Sequence, residues 1–203
     1  MSENHTTVNG TALAAGKPDA KRRARPVTAR GLALAAVFAA FTAVGAHISI
    51  PLPMLSITLQ TLFVMLAGMT LPRREAGLAL LCYILMGLFG LPVYTSGGGL
   101  AYIFKPSFGF VLSFCPGAML AAWYMARGKR SYWRAVVAGL LALAVIYGIG
   151  LAYYWLMSTL YLGKTVELRS MLLYCFLLPL PGDLVSCGLA AAAAVRLGKA
   201  GLC

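Results

Sequence analysis

Six apolar stretches, separated by short breaks rich in proline, glycine or basic residues, fill residues 31–197. A helix needs about 20 apolar residues to cross a bilayer. In hydrocarbon the backbone must satisfy its own polar groups, so a series of such stretches points to a helical membrane bundle. Composition agrees. Of the 203 residues, 61% are hydrophobic and 11% charged, against about 45–50% and about 25% in soluble domains. The chain therefore lacks the polar surface that a soluble fold needs. This excludes a secreted disulfide scaffold, a disordered tail and a nucleic-acid-binding domain. The expected fold class is an all-α integral membrane protein, a six-transmembrane-helix bundle in one domain.

The first segment covers about 31–50 and ends at Pro51-Leu52-Pro53. The second, about 57–71, is short, carries Thr58, Gln60 and Thr61 in its first turns, and ends at Pro72-Arg73-Arg74-Glu75. The third covers about 76–93. A loop holding Gly97-Gly98-Gly99 and Lys105-Pro106 leads to the fourth, about 107–126. Arg127-Gly128-Lys129-Arg130 precedes the fifth, about 135–161. The sixth stretch, 171–197, contains Pro179-Leu180-Pro181-Gly182-Asp183. Proline lacks a backbone donor and breaks helices. The last helix is thus expected to begin near 182, with 171–180 as a lid-like segment in front of it.

Basic residues set the expected orientation, because short cytoplasmic loops hold an excess of Lys and Arg. With the N-terminus inside, 14 of the 17 basic residues fall inside: six up to Arg30, then Arg73, Arg74, Arg127, Lys129, Arg130, Arg134, Arg196 and Lys199. Lys105, Lys164 and Arg169 fall outside. This bias places both termini in the cytoplasm and accounts for the net charge of +12 without nucleic acid. Residues 1–29 read as a disordered basic cytoplasmic arm, and 30–200 as the six-helix membrane domain. A signal peptide fits the arm poorly, since no A-x-A-like cleavage site ends the apolar run after it.

Small residues recur at helical spacing on two segments. The first has Ala35, Ala39 and Ala43 on one stripe, with Ala36 and Ala40 beside it; the fourth has Gly109, Ser113, Gly117 and Ala121. Small residues four apart let membrane helices approach closely. Packing within the bundle suits the fourth segment. The first, at the chain's edge, can equally face a partner.

Polar side chains at membrane depth are costly and default to functional candidates. In the expected orientation they gather outside: His47, Ser49, Ser56, Thr58 and Gln60 around the first outer loop; Tyr94, Ser96, the three glycines, Tyr102 and Lys105 in the second; and Asp183 after the third. Asp183 is the single acidic residue within an apolar stretch. It can cap the last helix, bind a ligand, or do both, since a carboxylate has several lone-pair sites. Lys105 can simply snorkel. The five cysteines are odd in number, irregularly spaced and mostly within apolar runs, which reads as core packing and not as metal ligation. No His-Glu-x-x-His or Gly-x-Ser-x-Gly occurs. Gly163-Lys164-Thr165 has Ser158 where a phosphate loop needs its first glycine. No cofactor or metal is expected, and the chain has no ATP-driven engine of its own. It reads as a receptor or a transporter part.

The run from Ile50 to Val64, Ile-Pro-Leu-Pro-Met-Leu-Ser-Ile-Thr-Leu-Gln-Thr-Leu-Phe-Val, resembles the BioY family, the biotin-specific substrate-binding components of energy-coupling-factor vitamin transporters. Three further stretches match in family order: Gly87-Leu88-Phe89-Gly90-Leu91-Pro92-Val93; Gly97-Gly98-Gly99 followed by Pro106-Ser107-Phe108-Gly109-Phe110; and Leu180-Pro181-Gly182-Asp183. The resemblance covers about 30–200. There are two departures. Ser186 stands where the family often has lysine, and Lys105 stands where it is often uncharged.

The resemblance implies a six-helix bundle with a vitamin pocket on its extracytoplasmic side, capped by outer loops. It implies a transmembrane coupling protein and two ATPases as partners, docked through small residues of helix one (Ala35, Ala36, Ala39 and Ala40), and transport by toppling of the binding subunit in the bilayer. Biotin fits the polar residues. Asp183 can accept a ureido N–H, and Gln60 and Thr58 can complete that ring's hydrogen bonds. Tyr94, Tyr102, Phe104 or Tyr154 can wall the rings. Gly97, Gly98 and Gly99 can offer backbone N–H groups to an anion, and Lys105 can offer its side-chain ammonium. Such a mixture of apolar walls and few polar groups is the usual form of a small-molecule site. The alternatives are a binding component for another vitamin, a solitary biotin transporter without a coupling module, and, remotely, an intramembrane enzyme.

Overall fold

The computed structural model describes residues 28–51, 55–163 and 167–199. The expected arm lies outside the described residues up to residue 27. Seven α-helices follow in order: α1 (Ala29–His47), α2 (Gln60–Thr70), α3 (Arg73–Leu88), α4 (Phe108–Met125), α5 (Tyr132–Leu156), α6 (Leu168–Leu172) and α7 (Leu180–Lys199). A small antiparallel hairpin, β1 (Ser49–Ile50) with β2 (Ile57–Thr58), stands between α1 and α2 and pairs Ser49 with Thr58. A 3-10 turn spans Leu100–Phe104.

Local chemistry explains the boundaries. Thr28 caps α1 by accepting from the Gly31 amide at 3.1 Å, and Ser131 caps α5 by accepting from Arg134 at 3.3 Å. Pro72 closes α2 from α3, as a residue with no amide to lose at a helix start. The expected break at 179–181 is different in form. The stretch 168–199 is helical almost throughout, with wide π turns at Leu173–Leu177 instead of a lid. There Leu178 donates to the Leu173 carbonyl, five residues back, at 3.0 Å. The wider turn lets Pro179 immediately precede α7 and Pro181 enter its first turn, where a missing N–H leaves no carbonyl stranded.

Among the described residues, four stretches are long and apolar enough to cross a membrane: Ala29–His47, Phe108–Met125, Tyr132–Tyr161 and Leu168–Lys199. The second and third expected crossings are helices too, but shorter. The eleven residues of α2 reach about 16 Å at 1.5 Å per residue, roughly half of a bilayer core of about 30 Å. It is short because residues 57 and 58 extend the hairpin instead of starting the helix.

This short helix is the centre of the bundle. It touches α1, α3, α4, α5 and α7, and eight of its residues are buried. The other long helices ring it, with α4 against α5 as the most extensive pairing. The small residues of α4 make that pairing close. A Cβ placed on Gly109 would stand 2.3 Å from Tyr153 Cβ, and one on Gly117 3.1 Å from Ile146 Cγ1, both on α5; Ala121 is fully buried against Gly68 of α2. On the outer surface, Leu32, Val37, Val44, Val185 and Leu189 are exposed, as helices facing lipid require. Leu140, Gly148 and Leu151 of α5, with Phe176, Leu180 and Leu184, enclose an apolar groove of about 400 Å³ open to this surface. Tyr147 forms its inner wall.

The alanines of α1 divide by face. Ala35 and Ala39 are buried, whereas Ala36 and Ala40 are exposed. The Ala35–Ala39 stripe therefore serves packing of α1 on α2 and α3 and has no face left for a partner.

Two glycines of different surroundings test the α4–α5 contact. Gly109→Ala should destabilise the protein by about 1–3 kcal/mol through overpacking. Gly148→Ala, which meets nothing within 4 Å, should be neutral or stabilise by up to about 1 kcal/mol through helix propensity. Thermal unfolding in detergent measures both. Equal shifts would mean that α4 and α5 do not meet at Gly109.

Candidate functional site

Because α2 starts deep in the bundle, a space remains at its N-terminal end. The hairpin, the 92–107 loop, α4, α5 and the start of α7 enclose it as a cavity of about 170 Å³. Gln60 and Thr61 come from the first turn of α2; Ser56, Ile57 and Thr58 come from the hairpin side. Phe110, Val111 and Phe114 on α4, with Ile146 on α5, supply an apolar wall. Thr95, Ser96, Tyr102 and Ser107 line the loop side, and Pro179 and Asp183 the α7 side.

Asp183 is the fourth residue of α7. Its amide is spent on the Pro179 carbonyl at 3.0 Å. Asp183 lies inside α7 and not at its N-cap, and Tyr147 on α5 donates to its Oδ2 at 2.5 Å. The residue is 7% exposed, and the Thr61 side chain also faces the carboxylate. Burying a carboxylate costs several kcal/mol unless donors surround it, and a phenol at this distance is a strong one. Gln60, 3% exposed, donates from Nε2 to the Tyr83 hydroxyl at 2.8 Å. Tyr83 in turn donates to the Val93 carbonyl at 3.1 Å.

The structure gathers Asp183, Gln60, Thr58 and Tyr102 around one cavity, with Ser56 and Ser96. The other candidates stand elsewhere. Gly97 and Gly99 have φ of +106° and +104°, a region open to glycine at little cost. Their amides are both used: Gly97 donates to the Tyr94 carbonyl in the loop at 3.2 Å, and Gly99 to the Gly87 carbonyl near the end of α3 at 2.7 Å. The triple glycine, Gly98 included, shapes the loop and does not line the cavity. Lys105 sits at the rim and is exposed. Its Nζ donates to the Ser96 carbonyl at 3.2 Å and lies 4.7 Å from the Tyr102 ring centre. Tyr94 is buried behind Tyr102, with ring centres 4.4 Å apart, and donates to the Ile84 carbonyl at 2.5 Å. Burial, with Tyr102 beside it, pushes its phenol up to about 12, so it remains a donor at neutral pH. Tyr154 is buried beside Ser158 and Cys175 and does not line the cavity. Phe104 is exposed and stacks on Tyr161 at 4.9 Å. His47 is exposed and bonded to the Ala43 carbonyl at 2.9 Å.

Sequence reasoning missed Tyr83, Tyr147 and Thr61. A signal existed for the two tyrosines: each is a phenol deep inside an apolar helix, where a hydroxyl needs a partner. Among the described residues no group of three or more His, Cys, Asp or Glu side chains is placed to hold a metal.

Comparison with known proteins follows the same lines. The profile of the BioY family matches residues 19–201. A probable biotin transporter of Lysinibacillus sphaericus is 36% identical over 83% of this chain and 86% of its own. A biotin transporter of Rhizobium etli is 32% identical over 86% and 94%. The crystal structure of a biotin S-component from an ECF-type ABC transporter superposes with a TM-score of 0.74 at 22% identity, covering 84% of this chain and 91% of that one; it shares the fold. With the profile spanning nearly the whole chain and relatives aligned over most of their length, the protein belongs to the BioY family.

Proposed function

We propose that the protein binds biotin in the cavity at the N-terminal end of α2 and mediates its uptake as the substrate-specific component of an ECF-type ABC transporter. Its role is binding and transport, as the names of its relatives have it, and not catalysis. The carrying observation is the Asp183–Tyr147 pair facing Gln60 across a cavity walled by Phe110, Phe114 and Ile146. Biotin's ureido ring has two N–H donors, which meet Asp183 and Gln60; Thr58 is within the same wall. Its thiophane ring and valeryl chain are apolar and lie against the α4 and α5 side chains. Its carboxylate leads toward the rim, where Lys105 offers the nearest cation on Ser96 and Tyr102. In this reading the rim cation replaces the lysine that Ser186 lacks.

The bundle crosses the membrane six times in this reading, with α2 and α3 as short crossings. The cavity opens outward and both termini are cytoplasmic. The partners are a transmembrane coupling protein and two ATPases. The exposed Ala36–Ala40 face of α1 supplies a smooth docking surface for the coupling protein.

Three experiments test these points. Asp183→Asn keeps the shape but loses the charge. Loss of a charged hydrogen bond of about 1.5–3 kcal/mol should weaken biotin about ten- to a hundredfold by isothermal titration; unchanged affinity refutes Asp183 as a ligand. Ala36→Leu should impair uptake in cells yet leave biotin binding to the isolated protein intact, whereas Ala39→Leu, inside the bundle, should reduce both. Equal behaviour of the two would remove α1 as the docking face. For orientation, a cysteine at the exposed Ser96 should be labelled by an impermeant reagent in intact cells and one at Ser131 should not. The opposite pattern inverts the topology.

A further inference from the structure

We infer that Tyr83 decides which end of the Gln60 amide faces the ligand, and so makes this wall of the cavity select hydrogen-bond donors. Tyr83 is fully buried on α3 and does not line the cavity. Its hydroxyl has a single proton. The Val93 carbonyl, 3.1 Å away, can only accept, so that proton belongs to Val93. The Tyr83 oxygen is left as an acceptor, and only the NH₂ end of Gln60 can satisfy it, at 2.8 Å. With Nε2 held behind the wall, the amide presents Oε1 to the cavity. The order follows from the chemistry of the three groups: backbone carbonyl, phenol, amide, ligand. Val93 is itself held in a tight turn, its amide donating to the Leu91 carbonyl at 2.8 Å.

Asp183 is likewise an acceptor, with its Oδ2 taken by Tyr147. The polar side of the cavity thus pairs two acceptors, a match for the two N–H groups of a cyclic urea and a mismatch for a ring oxygen or carbonyl in either place. Tyr83 is a positioning residue here; it acts through Gln60 and touches no ligand. This inference rests on biotin being the ligand.

The test uses the purified full chain in detergent and isothermal titration with three ligands: biotin and the two cyclic carbamates in which one or the other ureido N–H is replaced by oxygen. Each carbamate should bind the unmodified protein at least about tenfold more weakly than biotin, since an acceptor then faces an acceptor. In Tyr83→Phe the Gln60 amide is free to turn, and the deficit of one carbamate should shrink to within about threefold while the other, facing Asp183, keeps its deficit. If Tyr83→Phe weakens all three ligands by one common factor, Tyr83 only packs the core and the inference is overturned. Should that variant not fold, Gln60→Leu carries the test: loss of discrimination against one carbamate supports the inference, and full discrimination overturns it. Failure of the unmodified protein to bind biotin at all overturns the ligand reading and the inference with it, whereas biotin binding without the predicted ratios overturns the inference alone.

Discussion

The structure depends on a polar helix end being kept out of lipid. Gln60 and Thr61 open α2, and an unpaired amide or hydroxyl in hydrocarbon costs several kcal/mol. The bundle meets that cost by surrounding α2 with five other helices. Once α2 is central, its shortness becomes useful. A full-length helix there would fill the axis of the bundle. A helix of eleven residues leaves a space at its N-terminal end whose floor already carries polar groups, and the hairpin and loop close over that space. The apolar exterior and the polar interior cavity thus have one origin.

Phenols connect the pieces around that cavity. Tyr147 ties α5 to α7 through Asp183, and Tyr83 ties α3 to α2 through Gln60 and to the following loop through Val93. Tyr94 returns from the loop to α3, and Tyr153 ties α5 to the 3-10 turn by donating to Ile103 at 2.5 Å. In each case the aromatic ring supplies apolar packing while its hydroxyl satisfies a group that lipid could not. A protein with few charges can hold its helices in register this way, because each such bond forms in a medium where the alternative is no partner at all.

The helical segments, the α4 contact face and the cluster of Asp183, Gln60, Thr58 and Tyr102 were legible in the sequence. Length and hydropathy locate helices, and a lone acid in an apolar run marks itself. Other features were not legible for physical reasons. Hydropathy measures whether a segment is apolar, not whether lipid or protein surrounds it, so the central place of α2 was hidden. Ala35 and Ala36 are chemically identical, and only packing separates the buried one from the exposed one. The triple glycine resembles an anion-binding loop, but the amides of Gly97 and Gly99 are spent on the Tyr94 and Gly87 carbonyls, and none of the three lines the cavity. Pro179 and Pro181 read as a break; the π turn before them absorbed it.

Tyr147 borders both the polar cavity and the apolar groove on the outer surface. Its ring belongs to the wall of each compartment. That ring is an electrical insulator as well as a donor. With the apolar side chains of the groove on its far side, the field of the Asp183 carboxylate spreads into a medium that hardly screens it. Truncating position 147 would let the compartments merge, and water following the carboxylate outward would short-circuit that field. Phenylalanine there would preserve the partition and lose only the bond. The site therefore demands bulk from this residue independently of its hydroxyl, and the apolar groove becomes part of the dielectric around the Asp183 carboxylate.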